Sequence, residues 1–249
     1  DGTNLKVNSS DGGSYHTIRL NTTTNNAIKD VLHVHSSVDS ATAAAGYGVR
    51  LNFSGEQSNA NEYTFGGIAG LFSSSGANYG DLALYTNNNG TNTERLRITS
   101  DGRYIQGHTA SITTWGAGLN HQIHGTSTDA SSQSQVRWSN DANGPSLHFA
   151  KSRGGIGTQT IVQDNDNIGG IAFLASDGND FNNDVARIDC NIDGSPSNNT
   201  VPGEIVFTTT KSTGQAYNNM KIRNDGNVEI SNGNVVIGTA GKGIEFSAH

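Results

Sequence analysis

The residues best suited to chemistry in this sequence are its histidines. His33 and His35 stand two positions apart, so on a strand both side chains point to the same face. Three copies of such a strand around a threefold axis could offer their imidazoles to one transition metal. Ordinary surface or intersubunit hydrogen bonds are the alternative, and the position of the pair early in the chain favours it. We therefore predict no metal ligand.

The carboxylates make a second group of candidates. A glycan-cleaving enzyme needs two carboxyl groups roughly 5–10 Å apart, one of them with a raised pKa. Most aspartates here stand beside Gly or Asn, where they form turns. The acidic clusters 164–167 and 177–180 could supply oxygen ligands to Ca²⁺, but neither has the spacing of a D-x-D-x-D-G loop, so we interpret both as turns. The glutamates are few: Glu56, Glu62, Glu94, Glu204, Glu229 and Glu245.

Nucleophilic and phosphate-binding motifs are absent from the sequence. Cys190 is the single cysteine, which excludes an intrachain disulfide. Its place between Ile188 and Ile192 predicts a small core residue on a strand. No G-x-S-x-G motif occurs, and the glycine-rich run 154–157 lacks the βαβ context of a phosphate loop. We predict no catalytic residue, no cofactor and no enzymatic activity.

The elements that would position these residues follow from composition. The 249 residues include Gly 32, with 33% hydrophobic and only 15% charged residues, whereas an ordinary domain is about 25% charged. A net charge of −7 argues against a nucleic-acid partner. The sequence has no run of about 18 apolar residues, so we predict no membrane insertion. No signal peptide is visible. These features are typical of a turn-rich, all-β protein.

Short alternating segments predict the strands, and several of them end in Asp-Gly or Asn-Gly, which supply the positive φ angles of tight hairpins. The segment 38–45 is the one candidate helix. The predicted strands cover residues 82–85, 96–98, 188–192, 204–207, 220–222, 228–230 and 235–237.

Two landmarks recur in the same order, which indicates an internal duplication. A Gly-Gly-Ile-Ala run at 66–69 returns at 169–172, and Leu-Arg-Ile at 96–98 returns as Met-Lys-Ile at 220–222. Two further strands are expected between the landmarks of each unit. The resulting division is an N-terminal segment 1–13, a first β-unit 14–107, a Ser/Thr/Gly-rich connector 108–135, a second β-unit 136–238 and a C-terminal strand or tail 239–249.

The second unit strongly resembles a module of bacteriophage tail-fibre and tail-spike-like proteins, especially those of aquatic bacteria. Residues 94–102 carry the same fibre strand in the first unit. Fibre repeats commonly follow the Asp-Gly turn with a Val-Gly-Ile-Gly run, which residues 104–107 break. The matching stretches are residues 139–145, 150–154, 160–163, 169–173, 186–188, 193–196, 201–207 and 220–223.

The resemblance implies a homotrimer with an elongated repeat architecture of short antiparallel strands: an intertwined β-prism, β-helix or β-sandwich fibre. Composition makes this plausible, because a chain with so few apolar residues has little surface with which to close a core alone. Winding three chains together also covers strand edges. The implied location is the virion, after assembly in the host cytoplasm, with other tail or capsid proteins as partners.

Two classes of function remain open. One is a virion structural protein that contacts the host surface. The other is a carbohydrate-binding or glycan-cleaving surface protein, such as an adhesin or depolymerase spike; a capsid-decorating trimer is a variant of the first. To bind a host cell-surface glycan, the protein needs exposed aromatic side chains that can stack on the sugar. The candidates for this role are Tyr104, Trp115 and Tyr217, which are scattered along the sequence. Trp138 alternates with Val136 and is expected to be half-buried, so the structural role is favoured.

The repeated basic-apolar strands predict how the trimer is held together. Alternation places the apolar residues of 96–98 on one face of a strand, and those of 220–222 likewise. We expect these faces to turn toward the threefold axis, with Arg97 and Lys221 outside and exposed.

Overall fold

The computed structural model describes residues 34–36, 42–56, 61–74, 78–238 and 243. Contacts divide the chain into two compact units, Asp1–Thr109 and Ala110–His249. Nearly all regular structure within the described ranges is antiparallel β-sheet. The all-β fold predicted from the sequence is therefore confirmed. The finer division into five segments stays a prediction.

The first unit is built on a sheet whose strands pair antiparallel in chain order. The predicted strands 82–85 and 96–98 lie within its third and fourth strands. The tight turn between these two strands is Asn89-Gly90, with φ of 50° and 85°, the positive pair that a two-residue hairpin requires. The strands are β1 (Gly48–Glu56), β2 (Glu62–Phe72), β3 (Gly80–Asn88), β4 (Thr91–Ile98) and β5 (Tyr104–Gln106).

The second unit has a five-stranded sheet of the same kind, again with each strand beside its neighbour in sequence. A short strand and a four-residue helix capped by Ser127 precede the sheet. The elements are β6 (His121–Ile123), α1 (Thr128–Ser131), β7 (Asn167–Ala175), β8 (Asn183–Ile192), β9 (Gly203–Thr210), β10 (Ala216–Ile222) and β11 (Val228–Ile230).

Glycine at positive φ closes the predicted Asp-Gly hairpins. Gly102 and Gly226 both have φ of 84°, a conformation that favours glycine. The Gly102 amide donates to the Thr99 carbonyl, and the Gly226 amide donates to the Arg223 carbonyl, each at 2.9 Å. The two hairpins that end the basic-apolar strands therefore have the same construction.

One secondary-structure prediction is wrong, and another fails in the part of it that the structure describes. Residues 235–237 follow the Asn232-Gly233 bend but form no strand. Three apolar residues in a row make a strand only where a partner strand is available, and within the described ranges β11 is the last strand of its sheet. Of the predicted helix 38–45, only residues 42–45 are described, and they are irregular or in a turn.

The duplication holds for the landmarks but not for the number of strands between them. In the second unit two strands, β8 and β9, separate the Gly-Gly-Ile-Ala run in β7 from the Met-Lys-Ile run in β10. Among the described residues of the first unit, only β3 separates the corresponding runs in β2 and β4, and the expected second strand is absent from them. The nine residues of β3 take up most of the sequence that two shorter strands would need.

The chain between α1 and β7 is extended but irregular. Residues 132–166 contain no strand, although they include the beginning of the predicted second unit. Trp138, expected to be half-buried, is 92% exposed, because no neighbouring strand lies beside it to cover the alternating positions.

The hydrophobic core of the described residues is small for a chain of this length. Several of the buried residues are small, and Ile105 is the largest side chain with essentially no exposure. No helix within the described ranges has the length and apolar character that crossing a bilayer requires. The buried apolar residues are Ala69, Ala83, Ile105, Val162, Ile192 and Val206.

Candidate functional site

An apolar row crosses all five strands of the second sheet. Each member of the row stands opposite the next in the strand register, so that all of their side chains point to one side of the sheet. The row runs Ile171, Ile188, Phe207, Met220 and Ile230. Ile171 is 48% exposed and Ile230 is 39% exposed, so in a single chain this row is open to solvent.

A second row lies beside the first on the same side. It runs Gly169, Cys190, Ile205, Ile222 and Val228, in register across the same strands. The sequence prediction that Met220 and Ile222 share a face is confirmed. Cys190, predicted to be a core residue, is exposed, because nothing in the described part of the chain covers its side of β8. We call these two rows the second apolar face.

The first sheet has a comparable surface. One row passes near the middle of the strands. Another crosses them two residues further along, nearer the start of β1 and the end of β4. Leu51 is 47% exposed and Leu82 is 44% exposed. The first apolar face consists of Leu51, Ile68, Leu84 and Leu96 in one row and Val49, Leu82, Ile98 and Tyr104 in the other.

These two faces are too large to be incidental. Strands lie about 4.8 Å apart, so an apolar row over five strands is close to 20 Å wide. Monomeric soluble proteins rarely expose continuous apolar patches of this extent, and such patches mark interaction sites. The chemistry offered by the faces is burial against another apolar surface.

The opposite side of the first sheet holds a network of charges. The Arg97 guanidinium makes two hydrogen bonds to the Glu94 carboxylate, at 2.7 and 2.8 Å, and one to Asp81 at 2.8 Å. The hydrogen bond to Glu94 raises the pKa of Arg97. Burial raises the pKa of Tyr85, which donates to Glu94.

This network corrects the prediction for Arg97. Alternation placed it on the side away from Leu96 and Ile98, and it does lie there, but its side chain is only 11% exposed. Asp81 and Glu94 surround it, so it is an internal ion pair. Lys221, its counterpart, is 22% exposed and lies 3.4 Å from Glu204. Lys221 is therefore half-buried and paired, where the sequence predicted an exposed charge.

Glycines in the repeated Gly-Gly runs make room for side chains. A Cβ on Gly170 would lie 2.5 Å from an oxygen of Asp189. One on Gly67 would lie 2.6 Å from the backbone oxygen of Leu51 and 3.1 Å from the Arg50 side chain. A Cβ on Gly169 would lie 2.6 Å from Phe149, whose ring covers the β7 end of the second apolar face. The recurrence of the Gly-Gly pair therefore has a packing reason in both units.

The acidic clusters are already occupied by protein donors. The Arg153 guanidinium donates to both oxygens of Asp166, at 2.6 and 2.7 Å, and the Gln163 amide donates to one of them at 2.9 Å. The hydrogen bonds from Arg153 hold the pKa of Asp166 well below its usual range. Asp177 accepts bonds from the Asn179 and Asp180 amides. These contacts are those of turn-forming carboxylates.

The remaining candidates are spread over the chain. His35 is described, whereas His33 lies outside the described residues, so the expectation that the two share a face and bind no metal stays a prediction. Within the described ranges, no three His, Cys, Asp or Glu side chains come together as a possible metal site. Tyr104 and Trp115 are half exposed, at 50% and 53%. Tyr217 is partly covered, and the Lys211 ammonium lies 3.7 Å from its ring centre.

One arrangement was not predicted from the sequence. Trp115 belongs to the connector, yet the Arg187 guanidinium of β8 lies 5.2 Å from the centre of its ring. The two residues are distant in the sequence and carry no shared motif. No local signal could have paired them.

Comparison with known proteins supports the fold. No family model matches the sequence, and no curated protein matches it. The carboxy-terminal domain of the bacteriophage T5 L-shaped tail fibre is similar in structure, with a TM-score of 0.66 and 10% identity over 99% of this chain and 98% of that domain. The same domain with its intramolecular chaperone gives 0.65 and 10% identity over 99% and 69%. The chain therefore has the fold of a phage tail-fibre domain.

Proposed function

We propose that this chain is a virion structural protein, a segment of a trimeric bacteriophage tail fibre or spike that contacts the host surface. The observation that carries the proposal is the pair of exposed apolar faces on a chain with a tail-fibre fold. A single copy leaves both faces in water, and burying them against other copies contributes roughly 25 cal/mol per Å².

Three copies around one axis give each face a partner. Closed cyclic symmetry is the usual outcome for identical chains, because it leaves no uncovered copy of the interface. Leu96, Ile98, Met220 and Ile222 then point inward. The Arg97 and Lys221 networks lie on the opposite side of each sheet, where their internal ion pairs leave no unmatched charge.

The extended segment 132–166 adds a second argument for intertwined chains. Backbone amides and carbonyls are nearly always paired in assembled proteins. Within the described ranges, the backbone bonds of this segment to a strand are those of Asn165 and Asp166 to Ile192 of β8, and neighbouring copies can pair with the rest.

The mass of the protein in solution tests the assembly. Light scattering should give three copies of the 26.1 kDa chain. In the Ile222→Asp variant three carboxylates would be buried near one axis, which costs several kcal/mol each unless they are protonated, so trimers should be lost. Val201→Asp makes the same change at an exposed loop position and should leave the mass unchanged, as should Lys221→Gln.

A monomeric wild-type protein at micromolar concentration would overturn the trimer. An Ile222→Asp protein with the wild-type mass would show that the second apolar face is not the interface. Electron microscopy of particles with this chain labelled tests its place in the virion: label on a projecting fibre supports the proposal, and label on the capsid surface favours a decorating role.

A further inference from the structure

A polar pocket opens on the side of the second sheet that faces away from the second apolar face. Its volume is about 490 Å³, which is in the range of small-ligand sites. Gly170 and Ala172 of β7 form part of its floor, and their small size keeps it open. The functional groups around it are Trp115, Asn167, Arg187, Asp189, Asn191 and Glu204.

The backbone holds the indole at this pocket by a tight two-residue turn. Trp115 and Gly116 have φ of 51° and 70°, and Thr114 and Ala117 exchange two hydrogen bonds across them, at 2.9 and 3.0 Å. The Trp115 amide also donates to the Phe181 carbonyl at 3.0 Å. Positive φ is rare for a bulky residue, and such strain concentrates at functional sites.

The charged side chains around the pocket are held in ion pairs. The Arg187 Nε lies 3.4 Å from Asp189, and its Nη1 lies 3.6 Å from Asp184. Glu204 has Lys221 at 3.4 Å. These two cations and three carboxylates leave one negative charge in excess, which disfavours an acidic ligand.

The uncharged groups suit a polyhydroxylated ligand. The Asn167 side-chain amide donates to the Asn191 side-chain carbonyl at 3.0 Å and to Asp189 at 3.5 Å. The Asn167 carbonyl oxygen can accept from a ligand hydroxyl, and the Asn191 amide nitrogen can donate to one. The indole is 53% exposed and is partly covered by Arg187. An aromatic face beside paired amides and carboxylates matches one apolar C–H face and the hydroxyl rim of a hexose.

We propose that this pocket binds a neutral hexose unit of a surface glycan, with the Trp115 ring stacked on the sugar and Asn167, Asn191 and Glu204 bonded to its hydroxyls. The inference rests on the proposed host contact and names its ligand class. Assembly through the second apolar face leaves the pocket open, because alternate residues of β8 supply the two sides of the sheet.

Tryptophan emission can locate the binding, since the chain has only two tryptophans. In a Trp138→Phe background Trp115 is the sole reporter. The assembled protein is titrated with neutral pentasaccharides of glucose, galactose, mannose and N-acetylglucosamine to millimolar concentration, and with pentagalacturonate as the acidic probe. At least one neutral probe should change the emission saturably, and the acidic probe should not.

Calorimetry on the responding probe tests the residues. Trp115→Ala and Asn191→Ala should each weaken binding about tenfold or more, and Trp138→Ala, at an exposed aromatic outside the pocket, should leave it unchanged. No response to any neutral probe, tighter binding of the uronate, or undiminished binding by Trp115→Ala would each overturn the proposal. Trimer mass is read on the same samples, so that a failure of sugar binding in intact trimers is distinct from a failure of assembly.

Discussion

At the scale of single residues, the Arg97 network is a buried group of charges whose stability depends on every partner being present. Asp81 is 6% exposed, and it accepts bonds from both Arg97 and the Ser100 amide. Breaking a buried ion pair from one side is costly, because the remaining charge keeps its burial but loses its partner.

We expect Arg97→Gln to lower the free energy of unfolding by about 3 kcal/mol, measured by urea denaturation at fixed protein concentration. Arg103→Gln is the matched control. Arg103 pairs with the exposed Asp101 on the adjoining hairpin, and exposed pairs contribute less than about 1 kcal/mol. Equal effects of the two substitutions would show that the buried network contributes no more than a surface pair.

Asp166 makes stability depend on pH. Its folded-state pKa lies below the ordinary value of about 3.9, so the stabilisation is present above pH 4 and is lost as the pH falls through the lower, folded-state value. Asp166→Asn should be less stable than wild type at pH 7, and the difference should shrink at pH 3. Thermal unfolding of both proteins at the two pH values measures this. A difference that grows on acidification would contradict it.

Alternation along a strand predicts the face of a residue but not the groups that meet it there. It placed Arg97 correctly opposite Leu96 and Ile98. The burial of Arg97 depends on Asp81, sixteen positions away on the neighbouring strand, and no local pattern indicates that contact. For the same reason the sequence did not predict the ion pair between Arg153 and Asp166.

At the scale of elements, two glycines of β2 differ in how closely other atoms approach them. A Cβ on Gly66 would lie 2.5 Å from the backbone oxygen of Tyr85, whereas one on Gly70 would meet nothing within 4 Å. Gly66→Ala must therefore displace β3 and should lower the free energy of unfolding by about 1–3 kcal/mol. Gly70→Ala should be tolerated within about 0.5 kcal/mol. Urea unfolding of both variants measures the difference, and equal costs would contradict the close approach at Gly66.

Strands and turns with strong local signals were predicted well. Asp-Gly fixes the hairpins after β4 and β10, because glycine reaches positive φ without strain. β1 was missed, since residues 48–56 mix apolar and polar side chains and have no Asp-Gly turn after them. Residues 235–237 have the composition of a strand but no partner, and composition carries no information about partners.

At the scale of the whole molecule, the assembly predicts the chemistry of the one thiol. Cys190 lies within the second apolar face, so trimers should shield it from a maleimide, and the rate of labelling should fall about tenfold or more relative to the dissociated Ile222→Asp protein. A Cys190→Ser protein carrying Val201→Cys in an exposed loop is the control, whose rate should not depend on assembly. Rapid labelling of Cys190 in intact trimers would place the interface elsewhere.

The strictly sequential pairing of strands within each sheet bears on how the protein is made. Each strand finds its partner in the segment synthesised immediately before it, across connections as short as Asn89-Gly90. Low separation between contacting residues makes folding fast. Each hairpin can close as soon as its second strand has left the ribosome, so the sheets form in the direction of translation and do not wait for the end of the chain.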